Sequence, residues 1–224
     1  MLIEKLSNIL IMVPILLISL PFHECAHAYV AYRLGDPTAK DAGRLTLNPF
    51  RHLDLFGTLM MLVARVGWAR PVPINSSYFK DRRKGIILVS LAGPLSNLIL
   101  AFAFTLVWGL MVKLVSVGII PSDTGTAVTV LNWLQVFFQV AVVANISLAV
   151  FNLIPVPPLD GSRLITSFVP EESYYRFARY EQFIGLGFLL LVIFVPDWLS
   201  TVIGYVADPI YNSMITVTSF IFGL

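Results

Sequence analysis

Residues 6–27 read LSNILIMVPILLISLPFHECAH: seventeen uncharged residues, Leu6 to Phe22, followed at once by His23, Glu24 and His27. Continued to Arg33, the run is long enough to cross about 30 Å of hydrocarbon as a helix. Two imidazoles and a carboxylate therefore fall at membrane depth. Each ionisable group there costs roughly 2.5 kcal/mol or more, so such residues are read as functional by default. Positions i and i+4 share a helix face, which lets His23 and His27 reach one cation while Glu24 lies close enough to serve its water. Cys25 sits about 200° round the helix from His23 and is read as packing. A secretory signal peptide competes, because Ala26-His27-Ala28 has the form of a small-residue cleavage site. Against it, Glu4 and Lys5 cancel in charge, His and Glu flank the supposed cut, and more apolar chain follows.

The 224 residues are 57% hydrophobic and 12% charged, with a mean hydropathy of +0.82, which excludes a soluble domain and predicts an all-α polytopic membrane protein. The single cysteine excludes an internal disulfide and a thiolate zinc cluster. Ile86–Val112 and Thr124–Leu159 are uncharged and hold two further spans. Gln182–Pro196 and Pro209–Leu224, separated by Asp197 and Asp208, add one or two more, and Leu55–Val63 is short enough to be re-entrant or interfacial. About five to six membrane segments result. Residues 1–170 form a core of three spans (about 3–33, 85–113 and 127–155) with a β or re-entrant element at about 42–76, and 171–224 form C-terminal transmembrane segments.

Ten of the fifteen Lys and Arg residues lie between Arg33 and Lys84, whereas the loop between the next two spans holds only Lys113. The positive-inside rule then makes 33–84 cytoplasmic, the N-terminus external and 155–179 cytoplasmic. His23 precedes Arg33 by about 15 Å of helix, so the site is buried towards the cytoplasmic face. The basic excess is a topology signal; without interleaved aromatics it does not indicate nucleic acid.

A catalytic zinc takes three protein ligands and keeps one position open. His23 and His27 supply two, and Asp160 in NLIPVPPLDG (152–161) lies at the same depth and side. Three prolines forbid continued helix, so the stretch is expected to be extended beside a wet cavity. Asp160 has an alternative use as the cap of a short helix through Phe168, and spacing leaves both readings open.

HECAH in the first span, Gly93-Pro94-Leu95-Ser96-Asn97 in the second and Asn152…Pro155…Asp160-Gly161 after the third resemble the site-2 protease family of intramembrane zinc metalloproteases. GRLTLNP (43–49), His52-Leu53-Asp54…Gly57 and RPVPIN (70–75) resemble its compact prokaryotic branch. The likeness spans roughly residues 15–165, in the family's motif order. It implies one Zn2+ per chain held by His23, His27 and Asp160, with Glu24 as catalytic base. The implied partners are a transmembrane protein substrate and the lipid bilayer, in a prokaryotic cell membrane, with no PDZ-like insertion or nucleotide-sensing CBS domain expected. In the family the residue matching Asn152 helps place substrate, and its amide can also donate to an oxyanion; interhelical hydrogen bonding serves equally for Asn152 and is the preferred role of Asn97 and Asn145. Pro21 frees the Leu17 carbonyl, consistent with a water-admitting kink or with a merely tolerated proline. His52, beside Arg51 and Asp54, is read as a surface residue rather than a regulatory metal contact. Arg44–Leu47 and Pro71–Ile74 are possible edges for strand addition by an unwound substrate. The competing class is a non-proteolytic metal-binding protein or metal transporter. Transport would spread acidic groups over several spans, and a scaffold would not need Glu24.

Overall fold

The computed structural model describes residues 2–54, 57, 69–122, 124–169 and 171–224. Seven α-helices follow in order among these: α1 (Leu2–Arg33), α2 (Thr38–Asp41), α3 (Arg82–Ser116), α4 (Gly125–Asn152), α5 (Asp160–Thr166), α6 (Glu171–Phe194) and α7 (Pro196–Phe222). Three helices are long and apolar enough to cross a membrane, over Leu10–Arg33, Arg82–Ser116 and Gly125–Asn152. The pair α6 and α7, bent by 95°, brings the number to four if it counts as one span. The chain is an all-α integral membrane protein.

Helix starts follow from local chemistry. Asp81 precedes α3 and accepts the Lys84 amide at 3.0 Å, and Thr124 precedes α4 and accepts the Ala127 amide at 3.2 Å. Each satisfies an amide that the first turn leaves without a partner. Helical structure in α1 continues through both Pro14 and Pro21, without a break.

α3 lies at the centre, packed against α1 on one side and α4 on the other, while α7 lies against α3 and α4. Within a bilayer, helices gain little from burying apolar surface, so close approach through small residues carries the packing. The contacts fit this. Ala101 of α3, Val142 and Ile146 of α4 and Ala207 of α7 form one buried cluster, and Ala28, Ala39 and Val72 another. Outward-facing residues of α3 and α4, such as Leu88, Ile99, Val107, Val130 and Trp133, are apolar and exposed.

Between α1 and α3 the described residues form no strand. Two short 3-10 turns, Pro49–Arg51 and Ser76–Tyr78, and an isolated antiparallel bridge between Leu53 and Ala69 replace the expected β element. Arg44–Leu47 and Pro71–Ile74 are irregular rather than paired edges. The proposed re-entrant stretch Leu55–Val63 lies, except for Gly57, outside the described residues. Buried polar groups organise this region instead. The fully buried Asp36 accepts from the Thr38 amide (2.9 Å), the Thr38 hydroxyl (2.5 Å) and the Asn75 amide (2.7 Å). Buried Arg44 donates to the carbonyls of Arg51, Arg70 and Pro71, tying the two loops together.

Asp36→Ala is expected to strand three donors at a cost of about 1–3 kcal/mol, lowering the thermal midpoint in detergent by roughly 5 °C, whereas Asp36→Asn loses less because an acceptor remains. Equal midpoints for wild type and Asp36→Ala would show that the carboxylate does not anchor the loop.

Candidate metal centre

His23 and His27 lie one turn apart on the face of α1 turned towards α3, both buried. Their rings meet edge to face, with centroids 4.7 Å apart and Nε2 atoms 3.0 Å apart. His27 Nδ1 is 2.7 Å from the Val89 carbonyl of α3. A carbonyl only accepts, so Nδ1 carries the proton and Nε2 turns its lone pair into the cluster. His23 Nδ1 is buried with no hydrogen-bond partner.

Room for the two rings comes from α3. A methyl group built on Gly93 would overlap His27 Nε2 and the His23 ring, so no larger residue fits without moving them. Gly93 was visible in the sequence as part of a Gly-Pro pair in an apolar run, but its role needed the neighbouring helix.

Asp160 completes the cluster from a third element. Its Oδ2 stands 3.2 Å from His23 Nε2 and 3.1 Å from His27 Nε2. Asp160 is the first residue of α5, and no side chain caps that helix, so its carboxylate is not spent on the helix amides. The stretch before it is not extended as expected. The Ile154, Val156 and Leu159 amides donate to the carbonyls of Phe151, Ile154 and Val156 in successive turns. Prolines exclude helix here as foreseen, but short local bonds replace the extended path. Gly161 allows the fold-back, since a methyl group there would strike the Leu153 and Ile154 carbonyls.

Two nitrogen lone pairs and a carboxylate oxygen within 3.0–3.2 Å of one another repel unless a cation or proton lies between them. A tetrahedral zinc with bonds of about 2.0–2.1 Å sets its ligand atoms roughly 3.3 Å apart, so the donor set and spacing fit that ion. Among the described residues this is the only group of three or more His, Cys, Asp or Glu side chains arranged to hold a metal.

Glu24 is half-buried on α1, near enough to His27 and Arg44 to act on both through its charge. Asn152, at the end of α4, donates from Nδ2 to the Leu148 carbonyl of its own helix at 2.9 Å. Asn145 likewise donates to Ala141 of its own helix, and Asn97 Oδ1 is buried without a partner, so neither shows the interhelical bond expected of it. His52 is not on the surface: it is fully buried, with Nε2 donating to the Thr46 carbonyl at 2.8 Å. The Val89 carbonyl gave no sequence signal, because any residue supplies one.

An apolar helix bundle with a buried His-His-carboxylate cluster defines an integral membrane metalloprotein. The model of peptidase family M50 matches residues 11–194, and the chain belongs to this family, the site-2 proteases, which makes it a membrane zinc metalloprotease. It is 46% identical over 178 residues to YwhC of Bacillus subtilis, by name a candidate zinc metalloprotease, covering 80% of this chain and 78% of that protein. It is 30% identical over 201 residues to Rip2 of Mycobacterium tuberculosis (86% and 71%). It is 31% identical over 147 residues to MJ0611 of Methanocaldococcus jannaschii (64% and 63%). The comparison with solved structures gave no match.

Gly93→Ala is expected to crowd both imidazoles and cut the zinc content of the purified protein at least twofold while helicity is retained. Metal analysis beside circular dichroism checks this, and full zinc loading would show that the rings move aside freely.

Proposed function

We propose that the protein hydrolyses peptide bonds within or next to transmembrane helices of membrane proteins, as a step of regulated intramembrane proteolysis. The observation that carries this is the convergence of His23 Nε2, His27 Nε2 and Asp160 Oδ2 at the buried junction of three elements. In this reading those three side chains hold the zinc and Glu24 is the general base. When bound, zinc lowers the pKa of a water ligand towards about 7 and polarises a carbonyl.

The chain's own groups do the remaining work. The Val89 carbonyl fixes the His27 tautomer, so its ligand nitrogen needs no proton release. Glu24 takes a proton from the attacking water and passes it to the leaving amine. Asn152 positions substrate or donates to the developing oxyanion, after exchanging its bond to the Leu148 carbonyl. A carbonyl inside an intact helix is already bonded and screened by side chains, so the substrate opens locally before it reacts.

The same reading divides the chain into a catalytic core (1–170) and C-terminal membrane segments (171–224). It puts the protein in a prokaryotic cell membrane with the N-terminus outside and the site facing the cytoplasm, an orientation supported by the basic excess of 33–84.

Glu24→Gln is expected to keep zinc and lose at least 100-fold in cleavage of a model membrane substrate; near-normal cleavage would remove the base assignment. Asp160→Asn is expected to lose zinc together with activity, since an anionic ligand is gone. Normal zinc and activity in Asp160→Asn would require another third ligand.

Orientation has its own test. Single cysteines at Lys80 and Ser167 are expected to react with an impermeant reagent only from the cytoplasmic side, and one at Ser122 only from outside. The reverse pattern would place the site on the other face.

A further inference from the structure

α7 turns a polar stripe outward at bilayer depth. Its inward face, with Ile203, Ala207, Ile210 and Met214, packs on the cluster around Ala101, near the middle of α3. Further along, a methyl group on Gly109 would meet Thr218, and Lys113 Nζ donates to the Gly223 carbonyl at 3.3 Å. α7 therefore runs beside the second half of α3, in the same direction, and Asp208 lies level with mid-membrane.

The outward face carries Thr201, Tyr205, Asp208, Asn212, Ser213 and Thr216, all exposed. The three hydroxyls among Thr201, Ser213 and Thr216 donate to carbonyls of their own helix, those of Asp197, Pro209 and Asn212. Tyr205, Asp208 and Asn212 have no side-chain hydrogen bond among the described residues, and Tyr205 is 79% exposed. Pro209 also lacks the amide that would otherwise reach the Tyr205 carbonyl. The equally exposed face of α3, at Leu88, Leu95, Ile99 and Val107, is wholly apolar. Lipid suits the α3 face. It leaves the α7 acid, amide and phenol without partners, which hydrocarbon penalises.

We infer that the Tyr205–Asp208–Asn212 stripe of α7 is the contact surface for a second copy of this chain, in a two-fold dimer. Both copies insert in the same sense, so a two-fold axis lies along the membrane normal and the α7 helices run parallel. Residues near the axis then face their own counterparts. Tyr205 and Asn212 lie three and four residues from Asp208, roughly 4.5 and 6 Å of helical rise, one turn on either side. The stripe is thus self-complementary: phenol and amide donors of each copy flank the carboxyl acceptor of the other. Helix–helix hydrogen bonds of this type join transmembrane helices. A second copy presents no Lys or Arg from α7 at this level, so the donors offered to Asp208 there are the phenol and the amide.

The test uses the full chain in lipid nanodiscs and in detergent. Mass by light scattering is expected to correspond to two chains. Asn212→Cys and Tyr205→Cys are expected to cross-link between copies at least tenfold more than Ile99→Cys, with the parent chain, which retains Cys25, as background. The double variant Asp208→Leu/Asn212→Leu is expected to weaken association at least tenfold, with helicity and zinc content unchanged as the folding control. A single-chain mass, cross-linking at 99 equal to that at 205 and 212, or a dimer unaffected by the double variant would each overturn the inference. A misfolded double variant leaves the mass of the parent chain and the cysteine pair to decide.

Discussion

Three electron-rich atoms held within 3.2 Å of one another in an apolar bundle set the terms for the rest of the molecule. Without a cation or a proton between them such atoms repel, and side chains free to relax would separate. They stay together because each belongs to a rigid piece whose position is decided elsewhere. α1 carries the imidazoles, α3 supplies both the Val89 anchor and the space at Gly93, and the turns after α4 deliver the carboxylate. Much of the helix packing can be read as the means of keeping that triangle closed.

The loops beyond α1 solve a related problem with different chemistry. Asp36 and Arg44 are charged residues that the fold buries, and both bond mainly to backbone groups, while Arg44 Nε has no partner and Glu24 acts on the guanidinium through its charge. The carboxylate collects amides where the chain leaves α1, and the guanidinium collects carbonyls from two segments with no strand pairing of their own. Irregular backbone near a membrane needs partners for its polar groups. Here the Asp36 and Arg44 side chains provide several of them, and Arg44 does so within reach of the Glu24 charge.

What could be read from the sequence was local or repetitive. His23 and His27 are four residues apart on one helix, so their meeting needed only the helical period, and the three long spans needed only apolar length. Asp160 required one more step, the sidedness of the loops. His52 was misjudged because charged neighbours in sequence suggested solvent, whereas its ring is enclosed and bonded to the Thr46 carbonyl. The turns at 153–159 were misjudged because proline excludes helix without choosing its replacement. The C-terminal segments resisted counting for a physical reason: α7 alternates an apolar inner face with a polar outer one, which dilutes the hydropathy on which span detection relies.

The bond from His27 to the Val89 carbonyl has a consequence for how the site can be studied and how it can drift. The acceptor is main chain, so no substitution at position 89 deletes it, and a library of side-chain variants would score that position only for its packing in the α1–α3 interface. The orientation of the imidazole is in effect encoded by helix placement rather than by a residue. Its direct probe is an amide-to-ester exchange at the peptide link after Val89, which weakens the carbonyl as an acceptor and leaves every side chain in place.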